Sequence, residues 1–138
     1  MSRNAADESG QSIIEFALIA IVFFGLLLGI IEFAIVLFNQ QVITNAGREG
    51  ARFGVVARPV DYKVTRDQII AEVNNYAQSH VVSFGSKSLS VDPQFASGLQ
   101  SCQKTQDVLT VTVDYSHSFL FLFSANKTLR TQARMICE

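Results

Sequence analysis

Two cysteines, two prolines and two histidines are all that the 138-residue sequence contains of three residue types on which many sites and loops depend. Cys102 and Cys137 stand far apart, without a CxxC and without a histidine at metal-ligand spacing, which argues against a metal centre and leaves no cofactor to expect. His80 and His117 have no acid–nucleophile pattern beside them. A GxSxG, a phosphate-binding glycine loop and a dinucleotide fingerprint are missing as well, so the chain does not read as an enzyme. Basic residues form no stripe: eleven Lys and Arg are scattered among twelve Asp and Glu, and the formal net charge is −1. A phosphate backbone would find no matching surface, and nucleic acid is not an expected partner. No repeat or low-complexity tract is visible, and no proline interrupts the chain before Pro59.

Charge is scarcest near the N-terminus, where Ile13 to Phe38 contains two ionisable residues, Glu15 and Glu32. At about 1.5 Å per residue the uncharged stretch Phe16 to Ile31 covers roughly 24 Å as a helix, and the whole segment roughly 39 Å, against a hydrocarbon core of about 30 Å. One membrane span over residues 13–38 fits. A cleaved secretory signal would have a basic start, a shorter apolar region and a small-residue cleavage site after it. Here the prefix MSRNAADESG holds Arg3 but also Asp7 and Glu8, and the run passes directly into helix-like sequence. By the count of positive residues, Arg3 against Arg48, Arg52 and Arg58, the N-terminus would face outward.

Both acids have two readings. Glu15 stands in the first turn of the expected helix, where free N–H groups favour a carboxylate by about 0.3–1 kcal/mol, so an interfacial acid is one reading and an assembly contact the other. Glu32 either snorkels to the far interface or pairs with a neighbouring subunit. Gly25 and Gly29 form a GxxxG, which permits close approach of helices in lipid. The helix is expected to run on to residue 57, with Ala46, Gly50 and Gly54 at four-residue spacing. In a helix each of those glycines costs about 0.8–1 kcal/mol relative to alanine, so something should press on that face. Arg48 and Arg52, one turn apart beside Glu49, form either a solvated charged face or, with the small residues, a docking strip for another subunit.

Residues 58–138 should form a separate head. Thr65-Arg66-Asp67-Gln68 has the form of a capping box, and Ile69, Ile70, Val73, Tyr76 and Ala77 share one face of a helix reaching about His80. Alternation at Leu89 and Val91, at Leu109, Val111, Val113 and Tyr115, and at Leu129, Ala133, Met135 and Cys137 predicts three antiparallel strands. The fold class expected is α+β: a long N-terminal helix, then a second helix on a small sheet. The segment SHSFLFLFSAN, residues 116–126, reads as a loop carrying the apolar run Phe119, Leu120, Phe121, Leu122 and Phe123. That run must bury itself in the core, in lipid or in a partner.

Two stretches resemble known families. Gly10, four intervening residues, then Glu15, Phe16 and the apolar run resemble the processing site of type IV prepilins. The resemblance implies a leader-like prefix 1–10, cleavage by a prepilin peptidase between Gly10 and Gln11, and a Glu15 that attracts the new amine of an adjacent subunit. Further on, Glu32-Phe33, Phe38 and Asn45-Ala-Gly-Arg-Glu-Gly-Ala-Arg52 resemble the TadE-like proteins, pilin-related minor subunits of the tight-adherence (Flp) pilus. That likeness implies a pilin-like fold, a bacterial inner-membrane location with the N-terminus cytoplasmic and the head periplasmic, and passage into the pilus as one fate. It implies other pilin-like subunits and the pilus assembly platform as partners. The oxidising compartment it implies would allow a Cys102–Cys137 disulfide, the alternative being two free buried thiols. A single-span anchored binding or sensor module, never incorporated in a filament, is the competing functional reading.

Overall fold

The absence of proline before residue 59 and the unbroken apolar run have the expected local result, one helix, α1, over Ala5–Val55. The computed structural model describes residues 5–56, 63–84, 87–103, 106–119 and 126–137. α1 starts within the segment read as a leader-like prefix and ends two residues short of the expected 57. The second helix, α2, spans Arg66–His80, and the backbone N–H of Thr65 donates to Gln68 Oε1 at 3.0 Å, the contact expected of the capping box. Three strands follow, β1 (Ser88–Phe95), β2 (Val108–Ser118) and β3 (Asn126–Ile136), in an antiparallel sheet of order β1-β2-β3.

Period-2 alternation sorts the sheet into two faces. Leu109, Val111, Val113 and Tyr115 of β2 are fully buried against the helices, with Leu129 and Ala133 of β3 beside them. On the opposite face the cross-strand row Ser90–Asp114–Arg130 is polar, and Arg130 holds Asp114 in a two-point ion pair at 2.6 and 2.8 Å. Pro93 lies in β1, an edge strand, the place in a sheet where a missing N–H is tolerated.

The head stands alongside the C-terminal half of α1. A side chain on Gly54 would meet Leu109 and Ile69, one on Gly47 would meet Val113, and Asn39 bonds to His117, so β2 runs antiparallel to α1 from its far end toward the apolar segment. α2 descends the same way, from Ile69 beside Gly54 to Val82 beside Asn39. At the far end Cys102 and Cys137 are joined in a disulfide with Cα atoms 5.8 Å apart. Close to them Asp107 accepts hydrogen bonds from the Ser97 and Val108 N–H groups and from the Ser97 hydroxyl.

Two sequence expectations change. The loop placed at 116–126 is shorter, because β2 runs through Ser118 and pairs it with Asn126 of β3. His117, taken as a loop residue, is therefore a strand residue, buried on the inner face.

Candidate functional site

Two regions of α1 carry the features that sequence reasoning singled out, and they meet at Glu32. Below it, from Ile13 to Leu27, large apolar side chains point outward all round the helix, and at Leu28 the head begins to cover one side. Phe16 is 72% exposed and Leu26 63%, and the helix meets the length and composition of a membrane span. Glu15 is exposed at the start of this stretch beside Phe16. Gly10 and Gly25 open onto empty space, with no atom within 4 Å of where a side chain would begin, and Gly29 is half-buried.

Above that stretch the helix belongs to the head. Ala46 is fully buried, a side chain on Gly50 would collide with Val73 of α2, and one on Gly54 would lie 2.5 Å from Leu109. The small-residue strip is thus filled by this chain's own second helix and central strand, so the small residues that one of the two readings assigned to docking are core. Arg48 and Arg52 are exposed on the other side of the helix.

At the junction Glu32 is buried, neither snorkelling nor turned outward, in a pocket with Leu28, Ile31, Ile35, Phe84, His117 and Ser118. About two turns further up, Asn39 is fully buried and treats the backbone of Val82 as a second peptide group: its Nδ2 donates to the Val82 carbonyl at 2.7 Å, and the Val82 N–H donates to its Oδ1 at 3.0 Å. The same Nδ2 lies 3.4 Å from His117 Nδ1, which accepts, leaving the imidazole proton on Nε2. Burial pushes the His117 pKa below its ordinary value, and the nearby Glu32 carboxylate opposes that shift in part. A buried acid, amide and imidazole therefore lock the head onto α1 where the apolar stretch ends.

Asn39 and His117 were not singled out as site residues from sequence. The signal existed for both: Asn39 is the first polar residue after the apolar run, and His117 continues the alternation 109, 111, 113, 115 on the inward face. Of the apolar run, Phe119 packs edge-on against His117 with ring centroids 5.2 Å apart, while Phe121 and Phe123 lie outside the described residues.

A long apolar N-terminal helix, a second helix and a three-stranded antiparallel sheet match a pilin-like α+β description, and among the described residues one helix, α1, fits a single-pass membrane anchor by length and composition. Residues 10–52, which lie within α1, match the family model described as TadE-like protein. No curated protein and no solved structure matches the chain.

Proposed function

We propose that this chain is a minor pilin or pseudopilin that helps initiate or prime assembly of a tight-adherence pilus, acting through helix association in the inner membrane. What carries the reading is one coincidence: the segment matching the TadE-like proteins lies within a helix whose apolar half has its large side chains and Gly25 turned outward, free for neighbours. In this reading Glu15 sits at the edge of hydrocarbon and attracts the N-terminal ammonium of an adjacent subunit, in a medium where low dielectric strengthens the attraction. Gly25 and Gly29 let the neighbour's backbone approach. The N-terminus faces the cytoplasm, a prepilin peptidase cuts between Gly10 and Gln11, and the head offers a surface to other pilin-like subunits and the assembly platform. The chain is a structural subunit and performs no catalysis.

The test is made in cells that produce the pilus. The reading expects a mature chain beginning at Gln11 when the peptidase is present, and loss of piliation in Glu15→Ala. An intact Met1 terminus together with normal piliation in that variant would overturn it in favour of an anchored module outside the filament.

A further inference from the structure

The head and the lipid-like surface of α1 overlap in height. On its uncovered side α1 stays apolar beyond Glu32, with Phe33 64%, Leu37 52% and Phe38 51% exposed, before Gln41 brings the first exposed polar side chain. On its covered side the head reaches down to Leu28, because Phe84 and His117 line one pocket with Leu28, Ile31 and Ile35. Leu28 to Phe38 is about 15 Å of helix at 1.5 Å per residue, more than the roughly 5–8 Å of interfacial zone on one side of a bilayer, so the overlap reaches through that zone. A membrane that covers the exposed Phe33, Leu37 and Phe38 must meet the lower end of the head.

That end is built for the meeting. Phe84, which follows the Asn39-bound Val82, is 62% exposed, and Val82 is 40% exposed. Phe119 leaves the end of β2 beside His117 and is half-buried. Lys127, across from His117 in the sheet, is exposed, and Lys87, just before β1, is exposed with its Nζ donating to the Gln78 carbonyl at 2.8 Å. Phenylalanine lacks the polar handle of Trp or Tyr, but on elements that lie in the membrane surface it is buried at the boundary of headgroups and acyl chains, with lysine on the polar side reaching for headgroups. Glu32 and His117, the ionisable groups lining the same pocket, are buried, so entering the interface does not strip water from them, while Ser118 and its strand partner Asn126 are uncharged.

We infer that the lower end of the head is a membrane-seated foot: Phe84 and Phe119 insert into the interfacial layer of the bilayer that α1 crosses, and fix the head against the lipid surface. This rests on α1 being a span and not on the pilus reading. The sequence contains no tryptophan, so a single introduced one reports its own surroundings. Full-length Phe84→Trp, Phe119→Trp, Phe23→Trp and Val56→Trp proteins are placed in phosphatidylcholine vesicles with or without bromine on the acyl chains. Phe23→Trp marks the span, and Val56→Trp marks the far end of α1.

Bromolipid is expected to lower the emission of Phe84→Trp and Phe119→Trp roughly twofold, as it does for Phe23→Trp, with Val56→Trp unaffected and open to aqueous iodide. Quenching of Phe84→Trp and Phe119→Trp by iodide but not by bromolipid would overturn the foot while leaving the span intact. Shielding from both quenchers would also overturn it, since another protein surface would then cover the site. An unquenched Phe23→Trp would remove the span and the foot together.

Discussion

α1 carries glycines at four-residue spacing in both of its halves, with opposite consequences. Gly25 faces open space in a stretch that is apolar on every side, whereas Gly50 and Gly54 are pressed by Val73, Ile69 and Leu109 of the same chain. A small-residue repeat therefore announces a close approach without saying who approaches. The flanking residues decide it. Around Gly25 every side chain within a turn is apolar, as a helix in lipid requires, while opposite Gly50 stand Arg48 and Arg52, as on a helix with one wet face.

The comparison implies that stability resides in the upper half and its head, and the disulfide is the largest single test of that. Replacing both cysteines, Cys102→Ala with Cys137→Ala, opens a cross-link spanning 35 residues and is expected to cost the head about 3–4 kcal/mol. Denaturant unfolding of the full chain in micelles would read the loss. Hydrogen exchange over residues 13–31 should stay as it was, and faster exchange there would mean that the two halves are not separate in stability.

Next in size is a paired substitution at matching glycines. Gly50→Ala places a methyl group against Val73, a buried and stiff β-branched side chain, and overpacking of that kind costs about 1–3 kcal/mol, against a helix-propensity gain of about 1 kcal/mol. Gly25→Ala meets nothing within its own chain and should leave head unfolding unchanged. Any weakening it causes should appear only in association between copies or with related subunits. Equal melting losses for both variants would erase the distinction between the halves.

Acidity acts at the boundary between them. The folded protein holds His117 below its ordinary pKa of 6.5 because the ring is buried, so the unfolded chain binds that proton more readily. Stability is then full above the unfolded value and falls as the pH drops below it. Asp114 is also held low, chiefly by its hydrogen bond to Arg130, and its contribution is lost only below the ordinary value of 3.8, so the two windows are separable. Thermal melts between pH 7.5 and 5 should show a decline that His117→Gln flattens; an unchanged slope in that variant would move the titration elsewhere.

How much of this was legible beforehand follows from the reach of each signal. The apolar run, the capping box at Thr65 and the period-2 strands depend on near neighbours in sequence, and the architecture they predict is the one observed. The occupant of the Gly50 strip, and the pairing of Asn39 with Val82 and His117, depend on contacts between residues 43 and 78 positions apart in the case of Asn39. No local pattern encodes such contacts. Glu32 shows the same limit: its sequence position is that of a carboxylate near a membrane boundary, and only the packed head reveals that its own chain covers it.

The smallest effect has the opposite sign and makes the sharpest test of the upper half. Gly47 faces the sheet, and a side chain there would touch Val113 Cγ2 at 3.5 Å, Thr131 Cγ2 at 3.7 Å and Ala133 Cβ at 3.8 Å, all ordinary van der Waals distances. Alanine thus fits without displacing anything, lowers the conformational entropy of the unfolded chain and adds apolar contact, so Gly47→Ala should stabilise the head by about 0.4–1 kcal/mol. Gly50, where the same substitution is expected to destabilise, lies three positions on, so a pair of unfolding curves tests the local geometry directly. Destabilisation at both positions would mean that the sheet lies closer to α1 than these contacts allow, and stabilisation at both would mean that α2 yields at Val73.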